Sequence, residues 1–374
     1  MSRIESLTDR QTDRQTDRQT GPELLRIIAM LLIVFHHYAF HSGIDYSTFS
    51  LNNLFLTIIE SGGKIGVIIF ILITGYFSCC STFSVKRIVK LLLAVEFYSI
   101  TLTVTAILVN AQPLSKSILL KGCFPLIYGD GYWFISIYII LYIFSPILNA
   151  AINHVSKKNL AFIILFLITI YCIVPNTFGL IKQTNDYGLS NLVWFILIYL
   201  IGAYFRKYSF VCFRHIKTSI VLFLISIIVM LSSKTLLLRV GDGMNNWLKK
   251  ALSVFANSGL YAIMSLVISV LFFIVFCNLK IKPSSVLFSF SKATIGVYLI
   301  HDNILFRDFL WGSIIDTEKA YQHEWFILYS IGVVIVLYVI CSAIDILYHR
   351  FIESNIMKLS PIIRTITKID AAIS

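Results

Sequence analysis

The chain has 374 residues, 57% of them hydrophobic and 13% charged, whereas soluble domains carry about 45–50% apolar and about 25% charged residues. No single water-soluble core can hide that excess. A formal charge of +12 would favour nucleic acid in a soluble protein, but here lysines and arginines in cytoplasmic loops account for it, and no nucleic-acid partner is expected.

The first element is polar. Residues 8–20 read TDRQTDRQTDRQT, a repeat with no apolar face to bury, so residues 1–21 are expected to form a disordered tail. The four-residue period has a coding explanation. The tetranucleotide ACAG read continuously gives Thr-Asp-Arg-Gln, and such a tract slips during replication. Slippage implies a gene switched on and off, as in phase variation of bacterial surface structures. The other reading is a translation start extended over non-functional DNA.

Apolar runs between charged or Gly/Pro-rich breaks predict helices near 24–41, 64–80, 88–109, 132–150, 159–175, 190–205, 218–233, 259–277, 286–304 and 325–347. Each is close to the roughly 17–25 residues that cross about 30 Å of hydrocarbon. The fold class is therefore all-α, a polytopic integral membrane bundle of about ten helices. Counted over alternate loops, Lys and Arg concentrate on the N-terminal side, among them Lys86, Arg87, Lys90, Lys157, Lys158, Arg206 and Lys207. That asymmetry puts both termini in the cytoplasm, with 22–350 as the membrane domain and 351–374 as a cytoplasmic C-terminal tail. Loop 234–258 is an exception: Lys234, Arg239, Lys249 and Lys250 fall outside, and an amphipathic segment at the outer surface is expected there. The first span lacks a small-residue cleavage site and reads as an uncleaved anchor. The seven cysteines lie mostly in apolar runs and read as small membrane hydrophobes.

Within the first span Arg26 and His37 are separated by ten residues. Eleven helical steps turn about 1100°, which puts both side chains within about 20° of one face and about 16 Å apart along the axis. Ionisable groups at that depth are expected to face a polar cavity; Arg26 read alone could equally be a snorkelling topology signal. His36 points about 100° away, and His41 sits one turn beyond His37. A histidine pair four apart can bind a metal, but no third ligand is evident, and no metal or bound cofactor is expected. Gly62, Gly63 and Gly66 permit close helix approach. Lys86, Arg87 and Lys90 form a basic patch at the start of the third span, suited to a phosphate-rich donor or to topology signalling. His301, in Gly296-Val297-Tyr298-Leu299-Ile300-His301, lies at the outer end of the ninth span, where it could contact an acceptor or serve as an interfacial polar residue. Tyr132-Trp133-Phe134 and Trp325-Phe326 read as interfacial aromatic anchors.

Together these features resemble the acyltransferase-three family of bacterial membrane enzymes over nearly the whole chain after Pro22. The family's motif of a basic residue, ten residues and a histidine falls on Arg26 and His37. Its glycine-valine, phenylalanine-rich, serine-glycine-phenylalanine motif is similar to Gly66-Val67 through Phe70 to Thr74-Gly75-Tyr76, with Thr74 and Tyr76 as departures. Its paired basic motif falls on Arg87 and Lys90, where two arginines are usual. Trp133, Tyr138, Pro146 and Asn149 also match family blocks.

The resemblance implies a membrane O-acyltransferase, acting in the bacterial inner membrane. Acyl-CoA, acetyl-CoA above all, would be the donor substrate, and a cell-surface or lipid-linked glycan such as lipopolysaccharide or exopolysaccharide the acceptor. Arg26, Arg87 and Lys90 would hold the CoA phosphates at the inner mouth. His37 would be catalytic, either taking a proton from the attacking hydroxyl or becoming acylated itself. The alternative is a polysaccharide polymerase, flippase or other transporter, which would not account for Arg26 and His37 on one face beside the Arg87–Lys90 patch.

The codons of residues 8–20 test the switching idea. An uninterrupted ACAG tract is expected, with all-or-none expression in single cells, and a chain starting near Gly21 should be fully active. Varied synonymous codons would remove the basis for switching.

Overall fold

A computed structural model describes residues 20–128, 130–175, 189–208 and 216–373. The TDRQ repeat up to Gln19 lies outside them. No strand occurs among the described residues. In chain order the main helices are α1 (Thr20–Phe40), α2 (Leu51–Ser78), α3 (Val85–Leu108), α4 (Trp133–His154), α5 (Lys157–Ile168) and α6 (Leu189–Tyr208). After them come α7 (Ile216–Val240), α8 (Asn246–Ala256), α9 (Ile263–Asn278), α10 (Ser285–Lys292), α11 (Thr294–His301), α12 (Phe326–Tyr348) and α13 (Ser360–Ile373).

Six of these, α1, α2, α3, α4, α7 and α12, are long and apolar enough to cross a membrane. The chain is a multi-pass membrane protein. The other predicted segments are helical as well, but α5 ends after 12 residues in a π turn, α9 has 16 residues, and the ninth segment is broken. The break falls at Ala293, between the eight-residue helices α10 and α11. Two hydroxyls prepare it. Thr294 donates to the Ser291 carbonyl at 2.9 Å, and Ser291 donates to Glu23 of α1, so local side-chain bonds compete with a continuous ladder.

Helix α2 is the most enclosed of the six and α7 the least. Two sets of glycines explain how α2 is enclosed. A Cβ on Gly66 would lie 2.5 Å from the Ala29 carbonyl oxygen of α1, and one on Gly63 would lie 2.3 Å from the His36 ring. On the opposite side, a Cβ on Gly75 would meet the Tyr199 carbonyl oxygen of α6 at 2.3 Å, and one on Gly202 the Leu72 oxygen, also at 2.3 Å. Small residues thus bring three backbones together where lipid supplies no hydrophobic drive between helices. The outward residues Val221, Leu224, Ile225 and Ile228 of α7 are apolar and exposed, as a bilayer requires.

Two backbone groups left open by the helices are met by side chains. Pro146 inside α4 cannot donate to the Tyr142 carbonyl, and Ser145 donates to it instead, at 2.7 Å. The N-terminus of α3 has no cap from Ser84; Asp370 of α13 accepts from the Val85 N–H at 2.7 Å. The segment expected to be a plain tail is therefore helical at 360–373 and docks on the start of α3.

Loop 234–258 also differs from expectation. Helix α7 runs on to Val240, so Lys234 lies within it and donates to Ser61 at 2.5 Å and Ser258 at 2.8 Å. An amphipathic helix is present in the rest of the segment: α8 is capped by Asn245 and leaves Trp247 75% exposed.

Gly75→Ala should force α2 and α6 apart, because the blocking atoms are backbone; overpacking of this kind costs about 1–3 kcal/mol. Gly332→Ala is the control, since nothing lies within 4 Å of a Cβ there. Thermal unfolding in detergent should drop for the first and hold for the second. Equal midpoints would remove the close-packing account.

Candidate active site

His37 stands in the last turn of α1. The helix ends soon after it, and Gly43 at φ 73 lets the chain swing away. From the other end of the chain α11 delivers His301, fully buried, whose Nε2 lies 2.9 Å from His37 Nδ1.

The direction of this bond follows from its far end. His301 Nδ1 lies 2.6 Å from the Val297 carbonyl oxygen. A carbonyl only accepts, so His301 carries its proton on Nδ1 and, when neutral, has a lone pair on Nε2. His37 must then donate from Nδ1. Its Nε2 is left as an acceptor, the form a base requires. His301 is itself fixed by its surroundings. The buried carbonyls at the end of α11, which have no intrahelical partner, are capped by Tyr132 (Leu299 oxygen, 2.8 Å) and by the Trp311 indole (His301 oxygen, 3.2 Å). Asn303 donates to the Tyr132 hydroxyl at 2.8 Å.

A carboxylate completes the cluster. Asp302 Oδ1 lies 3.8 Å from His37 Nδ1, 3.9 Å from His41 Nε2 and 3.4 Å from Arg307 Nη1. Among the described residues no cluster of His, Cys, Asp and Glu has metal-holding geometry.

His37 opens on a cavity of about 40 Å³, walled by Phe70, Trp133, Phe134 and Tyr298 and also lined by His36 and Lys64. It has room for a water or a reacting group. His36 is pinned by the Glu60 carbonyl at 2.6 Å and packs on Gly63. The expectation that Tyr132-Trp133-Phe134 are interfacial anchors is corrected here: Tyr132 is 1% exposed and the other two wall the cavity. The pair at the start of α12 is split, with Trp325 48% exposed and Phe326 buried.

A second cavity, of about 620 Å³, lies between α3, α10, α11 and α12. It is lined by Arg87, Lys90, Lys292, His349 and Arg350, with Asp345 and Glu353 among them. Charges pair on one side of it. Lys90 is bonded to Glu353; His349 lies 2.7 Å from Glu353 Oε2 and 3.1 Å from Asp345 Oδ2; and Tyr98 donates to Asp345 at 2.8 Å. The helix continues through a π turn at His349–Glu353, a feature often found at functional sites. Gly296 permits α11 to sit against Asp345, where a Cβ would be 1.9 Å from Oδ1.

The two cavities share α11. Ile295 and Gly296 line the large one and Tyr298 the small one. From Gly296 to His301 is five residues, about 7.5 Å along the axis.

The structure thus brings His37 together with His301, and Arg87 with Lys90. Arg26 belongs to neither lining; it is held by Glu23 at 2.8 Å. Thr74 Oγ1 donates to the Phe70 carbonyl at 2.8 Å. Sequence reasoning missed Lys64, Asp302, Tyr132 as a cap, and the Asp345–His349–Glu353 series. The last carried a readable signal, since three ionisable residues four apart in an apolar run share one helix face.

Comparison with curated proteins and with solved structures gave no match. The acyltransferase-three family model, described as an acyltransferase domain, matches residues 19–345, a stretch that contains Arg26, His37, Arg87, Lys90 and His301. With most of its length matched, the chain belongs to the acyltransferase-three family and is a membrane acyltransferase.

Proposed function

We propose that the enzyme is an O-acyltransferase of the bacterial inner membrane. It moves an acyl group, acetyl in the first instance, from cytoplasmic acyl-CoA to a hydroxyl of a surface or lipid-linked glycan such as lipopolysaccharide or exopolysaccharide. The observation that carries this reading is the ordered chain Val297 carbonyl, His301, His37, which leaves a basic nitrogen facing a water-sized cavity one short helix away from a large basic cavity. A polymerase, flippase or transporter has no acyl chemistry and does not fit the family.

The donor assignment is supported by Arg87, Lys90, Lys292 and Arg350 around the large cavity, since phosphates favour cationic partners that bond directionally. Sidedness follows from charge. The loop lysines and arginines mark the cytoplasmic face, and α13 packs at the start of α3 beside Arg87, in keeping with a C-terminus on that face. Residues 1–21 would be dispensable, 22–350 would form the catalytic domain, and 351–373 would close its inner end. Arg26, tied to Glu23, would join the donor through rearrangement of that pair. His37 would act as general base, and His301, first read as a possible acceptor contact, would hold it in the required tautomer.

Two outcomes test these roles. His37→Ala should lower glycan acylation by about 100- to 10,000-fold, the usual contribution of a general base. His301→Gln should retain more activity than His301→Ala, because an amide can accept from His37 and donate to Val297. The mass of the surface glycan reads both; full acylation by His37→Ala would overturn the assignment.

For the donor, Arg87→Ala with Lys90→Ala should weaken acyl-CoA binding by about 1.5–3 kcal/mol per lost contact. Calorimetry on the purified double variant checks this, and unchanged affinity would count against a donor in that cavity.

A further inference from the structure

Lys64 takes no part in the roles above. It follows Gly62 and Gly63 in α2, about 20 Å in from Leu51, at the level where Gly63 packs on His36. The tight α1–α2 contact leaves no space for a lysine between those helices. Its side chain instead lines the small cavity with His37, and its Nζ sits 5.5 Å from the centre of the Trp133 ring.

Lysines elsewhere in the bundle have bonded partners, whether enclosed like Lys234 or more open like Lys90 and Lys207. Lys234 donates to two serines, Lys90 to Glu353 and Lys207 to the Ile152 carbonyl. Among the described residues no oxygen is within bonding distance of Lys64 Nζ. Asp302 and Glu60 reach it only through the longer-range field, and Asp302 is occupied with Arg307. A cation inside a membrane bundle without a bonded partner faces a charge or a polar cavity that uses it. In the resting protein no anion stands there; one is created by the reaction itself.

We propose that Lys64 is a catalytic residue, the donor of a hydrogen bond to the oxyanion that forms on the thioester carbonyl. This assignment rests on the acyl-transfer reading above. As the acceptor hydroxyl oxygen bonds to the carbonyl carbon, its proton passes to His37 Nε2, and the carbonyl π pair moves onto oxygen beside Lys64. Collapse restores the carbonyl and breaks the carbon–sulfur bond. The thiolate takes the proton from His37, giving the glycan ester, free CoA thiol and a neutral imidazole. Phe70, Phe134 and the Trp133 ring wall the cavity with apolar surface, and low-dielectric walls make a fixed positive charge most effective against a developing negative one.

Purified full-length enzyme, acetyl-CoA and native membranes bearing the glycan provide the assay, read as thiol release and as acetyl label in the glycan. Lys64→Met and Lys64→Gln should lose about 100- to 1000-fold in turnover, with acetyl-CoA affinity and unfolding temperature unchanged, and Lys64→Arg should recover part of the rate. Full turnover in either uncharged variant overturns the proposal. So does a loss confined to acetyl-CoA affinity, which would make Lys64 a donor contact. His37→Ala is run beside them. If it stays active, the transfer reading fails; if it is dead while Lys64→Gln turns over normally, only the role of Lys64 fails.

Discussion

The hydrogen bond between His37 and His301 is the interaction on which the rest of the site depends. It joins the last turn of α1 to the last turn of α11 across most of the chain, and its polarity is dictated by the Val297 carbonyl, a group that can only accept. For the bond to form, α11 has to be short, separate from α10 and held at its C-terminal end. The hydroxyls of Ser291 and Thr294 provide the break, and Tyr132 and Trp311 satisfy the carbonyls at the far end. Hydroxyl, phenol and indole groups thus do most of the positioning, and the buried Asp302 beside His37 is paired with Arg307. This arrangement suits a low-dielectric interior, where a satisfied hydrogen bond is strong and an unpaired charge is costly.

The architecture separates two tasks that a membrane acyltransferase must combine. The large cavity between α3, α10, α11 and α12 gathers cations and compensating carboxylates, whereas the small one is walled by aromatic rings and holds the histidines. One eight-residue helix borders both. Glycine contacts on either side of α2 keep the wall of the small cavity rigid, since the blocking atoms at Gly66, Gly75 and Gly202 belong to backbone and cannot yield.

Much of this was legible in the sequence. Apolar runs marked the helices, because a span needs little more than length and apolarity, whereas the Arg26–His37 spacing pointed to one shared face and the structure ties Arg26 to Glu23 away from the cavity that His37 lines. The failures have physical causes. Periodicity in 286–304 cannot reveal a break made by hydroxyls that bond locally and to Glu23 of α1. Tyr132-Trp133-Phe134 has the composition of an interfacial belt, and only tertiary packing turns those rings inward. Lys234 was assigned to a loop because its charge ends an apolar run, yet Ser61 and Ser258 bond it inside the bundle. The meeting of His37 with His301 is a contact between distant segments, about which local pattern is silent.

Gly296 and Asp345 sit so close that the only side chain α11 can present there is a hydrogen atom, while Asp345 also receives the Tyr98 hydroxyl. The pair therefore behaves as one heritable character. A lineage cannot enlarge position 296 while Asp345 stands, and it cannot shrink 345 without stranding the Tyr98 hydroxyl. Relatives that diverge here should show the two positions changing in concert, so covariation between these sites records a steric lock.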